Sequence, residues 1–480
     1  MEDKLYSNVI YEDLTSRQKE FIDLAETPNS RVFLTGCAGA GKTLLATIAT
    51  LKLEESNQNV QFLVYTKMLE KFVRDTFKDT EHIDRDLGQI VQRFHKPKTD
   101  RIRLWSQIKK MSSSDLSKLT KEYSNKPFDT ILVDECQDFQ KPMVETVKMM
   151  SKNQIWLGDA TQQIFGHAMS KENEGYSSLY KDSSYERIDL DTNFRNPLTV
   201  AMLAMHFITI NEFDEISLED KVSKFIQPIT NNQTGTSQAR NQPTVFIEAS
   251  DVDNQYDAIA KRIKNIQNNK LPGAKNQIVV AHVHSKNVYK IRKELYKRGI
   301  EGEIAKKKRG QDMEDNFDFK DDNLVLFGTI HSLKGLEFDY LFFPDTEEDK
   351  LDFDSMFQNT VEDNSYSYGY TLSKQQQDSI VSNTLFMLFT RVKKRIFISY
   401  VDKVKSLVFK KIPEEYRNLE EHFSFIKADE NTPKLSNSQV QKKVQEVEKS
   451  LKENNWPVQR KSSKELERDL NKNLNDDLPF

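Results

Sequence analysis

The chain has 480 residues, 37% of them hydrophobic, with 70 Lys and Arg against 74 Asp and Glu and a formal net charge of -4. This is enough for two or three domains with cores of their own, and it excludes a protein that holds nucleic acid by overall charge, so any such contact rests on local patches. The two cysteines, Cys37 and Cys136, are too few for a disulfide scaffold, a zinc ribbon or a cysteine-ligated iron–sulfur cluster.

Met1 to Leu14 are polar and acidic, without the basic region and apolar run of a signal peptide, and no stretch reaches the roughly 18 apolar residues of a membrane span. A reducing, cytoplasmic setting without a membrane partner is expected. Short apolar runs then alternate with helical patterns, which predicts an α/β fold with parallel sheets covered by helices. The predicted strands are Val32-Leu34, Phe62-Tyr65, Ile131-Val133, Ile155-Leu157, Val245-Ile247, Ile278-Ala281, Leu324-Phe327, Tyr340-Phe343 and Ile396-Tyr400. Between them Leu44, Ile48 and Leu51 fall on one helical face, as do Tyr256, Ile259, Ile263 and Ile266. Val288, Ile291 and Leu295 precede Gly299, a C-cap residue. The polar stretch Thr230 to Gln242, followed by Pro243, marks a linker there or slightly before it. From Asn431 the chain is highly charged, with Val440, Val444, Val447 and Leu451 at helical spacing, and reads as an arm rather than a domain.

Gly36-Cys37-Ala38-Gly39-Ala40-Gly41-Lys42-Thr43 fits G-x-x-x-x-G-K-[ST] between a predicted strand and a predicted helix, the context a phosphate loop requires. Glycines let the backbone N–H groups curl around phosphates, Lys42 is placed for the β/γ-phosphates of ATP, and the Thr43 hydroxyl for Mg2+. Asp134-Glu135-Cys136-Gln137-Asp138 follows the run Thr130-Val133, which puts an acidic pair at a strand's carboxyl end. Asp134 suits the metal and Glu135 the attacking water. The cysteines inside these two loops read as small packing residues.

The order of motifs from Leu14 to about Tyr400 resembles superfamily 1A DNA helicases of the UvrD/Rep/PcrA type. The resemblance implies two RecA-like P-loop domains, 1–196 with a small basic insert at about 80–127 and 197–430 with short inserts, followed by the tail 431–480. Leu14-Thr15-Ser16-Arg17-Gln18 is similar to the Q motif, in which Gln18 reads adenine. Gly158 to Phe165 is similar to motif III, with Gln162 sensing the γ-phosphate and Phe165 toward the strand. Asn193-Phe194-Arg195 resembles motif IV, with Phe194 stacked on the base and Arg195 on the γ-phosphate. Thr329 to Phe338 resembles motif V: Gly335 and Glu337 would contact the nucleotide, Glu337 at the ribose, while Thr329, His331 and Lys334 would face the strand. Thr390-Arg391 resembles motif VI, whose arginine finger would be Arg391, and Tyr65-Thr66-Lys67-Met68 resembles motif Ia, with Thr66 and Lys67 toward nucleic acid. Arginines from a second domain make hydrolysis depend on domain closure, because phosphoryl transfer is catalysed mainly by positioning and charge stabilisation.

The chain departs from the family after motif III, where Gly166-His167-Ala168-Met169 replaces a run containing a base-stacking aromatic. Between Val91 and Lys126 ten Lys and Arg face three acids, a net +7. Arg93, Lys96, Lys98, Arg101 and Arg103 with Trp105 form the best nucleic-acid patch, cations for phosphates and a ring for bases. Asp345 to Asn364 is strongly acidic and would repel DNA. The small core, the absence of a fused nuclease and the amphipathic tail are similar to the helicase-like subunit of Gabija antiphage systems, which works with a separate nuclease. The sequence thus predicts an ATP- and Mg2+-dependent 3′-to-5′ translocase on single-stranded or partly duplex DNA. The second reading is an ATP-switched DNA-binding subunit regulating a nuclease partner, and the third an RNA helicase.

Overall fold

The computed structural model describes residues 4–6, 9–10, 14–77, 90–93, 128–139, 141–165, 175–190, 192–208, 242–268, 276–305, 324–354, 357, 372–417 and 423–429. The predicted patch residues Lys96, Lys98, Arg101, Arg103 and Trp105, most of the predicted linker, and the tail lie outside these residues. For Lys67 and Arg93 only the backbone is described. Among the described residues no helix is long and apolar enough to cross a membrane.

After a short antiparallel pair, β1 (Lys4–Tyr6) and β2 (Val9–Ile10), the first half alternates strand and helix. Its elements are α1 (Ser16–Glu26), β3 (Arg31–Gly36), α2 (Lys42–Glu55), β4 (Val60–Val64), α3 (Lys67–Phe77), β5 (Val91–Arg93), β6 (Thr130–Val133), α4 (Lys141–Met150), β7 (Asn153–Gly158), α5 (Gly175–Tyr180) and β8 (Glu186–Leu190). The second half continues with α6 (Leu198–Met205), β9 (Thr244–Glu248), α7 (Val252–Asn268), β10 (Ile278–His282), α8 (Ser285–Lys297), β11 (Glu303–Ile304), β12 (Val325–Thr329), β13 (Phe338–Phe343), α9 (Lys374–Phe389), β14 (Val392–Tyr400) and β15 (Phe423–Lys427). Two sheets result, one of six strands in the order β5-β4-β6-β7-β3-β8 and one of seven in the order β11-β12-β10-β13-β14-β9-β15. Every pairing within them is parallel. The fold class is α/β, as the alternation of patterns predicts.

Inner strands of such sheets are covered on both faces, so they are apolar throughout rather than alternating. β4, β6, β10 and β13 are buried at every position. Each predicted strand overlaps an observed one, and those that the periodicity missed in the sheets, β5, β8, β11 and β15, are the four edges. In β8 only Ile188 and Leu190 are buried, while Glu186, Arg187 and Asp189 face solvent.

The strand order separates consecutive strands and so opens a crevice. β3 lies between β7 and β8, and the chain leaving it crosses to β4 beyond β6. Loops at the carboxyl ends on either side of such a crossing diverge, and ligands bind between them. The two halves meet at this end: Ala38 from the β3–α2 loop and Ile164 after β7 belong to one buried cluster with Val200, Leu203, Ile330, Leu333 and Phe386. Burying an aliphatic side chain of this size contributes about 1.5–3 kcal/mol, so the shared cluster holds the halves together beside the crevice.

Candidate nucleotide site at the junction of the two sheets

β3 delivers the loop and α2 receives it. Gly41 is the N-cap of α2 with φ 89, and Gly39 has φ 78, conformations that favour glycine. A Cβ on Gly39 would stand 2.3 Å from Asn193 Oδ1 and 2.8 Å from Arg195 Cβ, so the loop is closed against the Asn193–Arg195 segment by the lack of a side chain. Phe194 N–H donates to the Gly39 carbonyl (3.0 Å), and the Phe194 ring itself is 42% exposed beside the loop. Lys42 Nζ donates to the carbonyls of Gly36 (2.7 Å) and Cys37 (3.1 Å). The first turn of a 14-residue helix together with an ammonium makes an anion site.

The acidic pair lies two strands away, at the end of β6 beyond β7. Thr43 Oγ1 donates to Asp134 Oδ2 at 2.6 Å, so a hydroxyl and a carboxylate present hard oxygen donors side by side, the kind Mg2+ takes when phosphates complete its shell. Glu135 takes a left-handed conformation, φ 56, and its N–H donates to Asp134 Oδ1 at 2.8 Å. Burial, then the neighbouring Glu135 charge, raises Asp134 to about 6. Burial pushes Glu135 upward too, but Lys334, Arg391 and Lys42 outweigh it and bring Glu135 to about 2. The pair is thereby split, and Glu135 keeps the anionic state that a general base needs.

Side chains from both halves complete the site. Asp159, after β7, accepts from Thr161 N–H (3.0 Å) and from Gln162 Nε2 (2.7 Å), and stands 4.0 Å from Lys42 Nζ. With its amide N–H so held, Gln162 turns Oε1 to Arg391, whose Nη2 donates to it and lies 3.5 Å from Glu135 Oε1. Arg391 is buried, and desolvation lowers its pKa from the ordinary guanidinium value. Arg195 Nη1 donates to the Thr390 carbonyl (3.1 Å), and Arg195 Nη2 to Glu337 Oε1. Asn196 Nδ2 reaches the carbonyls of Thr390 (3.0 Å) and Val392 (2.7 Å), on either side of Arg391. Lys42, Asp134, Glu135, Gln162, Arg195 and Arg391 are therefore gathered in one crevice.

Several side chains have other partners than the sequence suggested. Lys334, expected to face the strand, is fully buried: Nζ is 2.5 Å from Asp138 Oδ2, 3.6 Å from Glu135 Oε2, and donates to the Gln162 carbonyl at 2.7 Å. Lys334 caps the end of the 3-10 turn Ile330–Leu333, and the carboxylates of Asp138 and Glu135 supply the counter-charges without which a fully buried ammonium is costly. Gly335 packs beneath α3, where an added Cβ would meet Leu69 at 3.0 Å. Glu337 is paired with Arg195, which with Lys393 holds its carboxyl below the usual range against the cost of burial. Gln18 is engaged within the protein: Oε1 accepts Thr15 N–H (3.0 Å) in the capping box of α1, and Nε2 donates to the Ala40 carbonyl (3.1 Å). The Thr329 hydroxyl caps its own turn by accepting Ser332 N–H at 3.3 Å.

Beside Lys334 stands an aromatic tier. Phe165 packs on Tyr65 (ring centroids 5.0 Å) and on His331 (5.6 Å), with Lys334 Nζ 5.6 Å from its ring. Burial, and then Lys334, lower His331 to about 4, so its ring is neutral at physiological pH. Thr66 Oγ1 donates to the Lys334 carbonyl at 3.2 Å. Asn196 and Asp159 were not singled out from the sequence. Asn196 directly follows Asn193-Phe194-Arg195, and Asp159 precedes Gln162 in a strand-end turn, which is the only signal either gave.

Residues 10–163 match the family model described as type III restriction enzyme, res subunit. The match spans less than half of the chain and ends at the turn carrying Gln162. No curated protein matches the sequence. Among solved structures, one described as two coordinating Pif1 helicases unwinding forked double-stranded DNA is 13% identical, with 84% of this chain and 95% of that chain covered and a TM-score of 0.36. A Bacteroides Pif1 helicase in complex with ADP-AlF3 and single-stranded DNA gives 13%, 84%, 95% and 0.37. The S. cerevisiae Dbp5 bound to RNA and ADP BeF3 gives 10%, 92%, 94% and 0.46.

Proposed function

We propose that the chain is an ATP-driven nucleic-acid helicase of the superfamily 1, UvrD-like type, moving 3′ to 5′ on single-stranded DNA. One observation carries the reading: Arg391, from the second half, reaches Gln162 and Glu135, which stand beside the phosphate loop of the first. A site that is complete only when two halves meet couples hydrolysis to their relative movement.

ATP supplies the phosphoanhydride bond that water cleaves; Thr43 Oγ1 and Asp134 would hold Mg2+, which would supply neutralisation of the charge developing on the phosphates, and Lys42 would exchange the loop carbonyls for those phosphates. Glu135, kept anionic by Lys334 and Arg391, orients the attacking water and accepts its proton. Arg391 and Arg195 stabilise charge on the transferring group, and Gln162, bonded to both Asp159 and Arg391, links the phosphate end to the Phe165 tier. Phe165, His331 and Thr66 are the proposed strand-facing groups of the described residues.

ATP turnover measured with and without single-stranded DNA, with an RNA control, tests the reading, and stimulation by DNA alone is expected. Turnover indifferent to nucleic acid would sink it. A strand-displacement assay on partly duplex DNA then separates a motor from a subunit that only switches a nuclease partner. Arg391→Ala is expected to lower kcat about 1,000-fold while nucleotide affinity changes much less. Equal losses in both would mean that Arg391 serves binding rather than the transition state.

A further inference from the structure

The outer face of α8 carries a pattern that the nucleotide site does not use. Val288, Ile291 and Leu295 are the buried residues of this helix. Lys286, Tyr289, Lys290, Lys293, Tyr296 and Lys297 are all exposed on the other side, at the three- and four-residue spacings that align side chains along one face. Tyr289 is 49% and Tyr296 62% exposed, two of the few large apolar side chains that the described surface shows to solvent. Lys297 pairs with Glu294, whereas Lys286, Lys290 and Lys293 make no ion pair among the described residues. A helix face stabilised by its own charges would pair them with acids three or four residues away, and of these four lysines only Lys297 is paired so among the described residues.

Position gives the face its meaning. β10 and β12 are register neighbours, His282 opposite Thr329, so α8 begins at the sheet end where Thr329 and His331 stand. A cavity of about 510 Å3 lies at its foot, lined by Lys286, Lys290 and Lys350 together with Asp345, Asp349 and Asp352. Lys350 is paired with Asp345, so the charges of the cavity are balanced, whereas the exposed face of α8 beyond it carries lysines and tyrosines. We infer that the outer face of α8 is a second tract of the nucleic-acid path, which takes a single strand leaving the junction of the two sheets. Lysine ammonium groups neutralise its phosphates and the tyrosine rings stack its bases. An unpaired strand is the occupant because only its bases offer open faces to both rings. From Lys286 to Lys297 the helix rises about 17 Å, room for several nucleotides. This inference rests on the proposed helicase reading.

The test compares the full chain with Lys286→Gln/Lys290→Gln/Lys293→Gln and with Tyr289→Ala/Tyr296→Ala. Binding to oligothymidylates of roughly 8 and roughly 30 nucleotides is followed by fluorescence anisotropy over a range of salt concentrations. For the long oligomer the lysine variant should lose about 2 from the magnitude of the salt slope, and the tyrosine variant should bind about tenfold or more weakly. Both should bind the short oligomer, which the junction alone accommodates, as the unaltered chain does. An unchanged slope and affinity for the long oligomer, with tight binding by the unaltered chain, overturns the tract alone. Failure of the unaltered chain to bind either oligomer overturns the tract together with the helicase reading. An equal loss on a blunt duplex of the same length overturns the assignment to a single strand.

Discussion

Replacing Glu135 by Gln is expected to lower ATP turnover by about 100- to 10,000-fold, with nucleotide still bound. The amide keeps the size of the side chain and its place at the end of β6, yet it cannot accept a proton. The structure sharpens the expectation, because Lys334, Arg391 and Lys42 hold this carboxyl at about 2. Glu135 is thus ionised throughout the range in which the protein is assayed, and no acid-side loss of turnover between pH 5 and 8 should trace to it. Turnover by a coupled assay, set against binding of a fluorescent nucleotide, separates chemistry from affinity. A Glu135→Gln chain turning over ATP like the unaltered one would remove Glu135 from the mechanism.

Lys334→Met should give the second large effect, and it is one of stability. In the folded chain Lys334 and Asp138 are both fully buried, 2.5 Å apart. Removing one partner of such a pair leaves the other without its counter-charge, and the cost is roughly 3 kcal/mol, a fall in Tm of roughly 10 °C. The pH dependence identifies the cause. Burial raises Asp138 to about 7 even with Lys334 beside it, against about 3.9 in an unfolded chain. The folded state therefore holds this proton more tightly, and the Asp138 contribution to stability falls as pH rises from about 4 to about 7 and is level above. Without Lys334 the folded pKa moves higher still, so in Lys334→Met the decline should continue above pH 7. Adding Asp138→Asn should recover much of the loss. If Lys334 faced the strand instead, its replacement would leave Tm nearly unchanged and weaken DNA binding.

The sequence showed most of what lies in the middle of the sheets and little at their margins, and the reason is physical. An inner parallel strand is apolar on both faces and stands out as a run, such as Ile278 to Ala281. An edge strand is short, like Glu303–Ile304, or half exposed, like Glu186–Leu190, and has no run to find. The same contrast holds at the nucleotide site. Lys42, Thr43, Asp134 and Glu135 are tied to strand ends by short loops, so spacing alone places them. Lys334 was misplaced because its direction depends on a single turn, Ile330–Leu333, and because its partners lie in the other half of the chain. Asn196 carried no signal beyond its place after Asn193-Phe194-Arg195, since its role exists only where the two halves meet.

Asn196 clips the backbone on both sides of Arg391, and its neighbour Arg195 holds one of the same carbonyls. Arg195 and Thr390 are 195 residues apart in sequence, and Arg195 is also packed on the phosphate loop at Gly39. Under the proposed mechanism, a parting of the two halves would therefore break the Arg195 and Asn196 contacts to the Thr390 and Val392 carbonyls in the same step that withdraws Arg391 from Gln162. The backbone on either side of Arg391 would serve as a latch as well as a support.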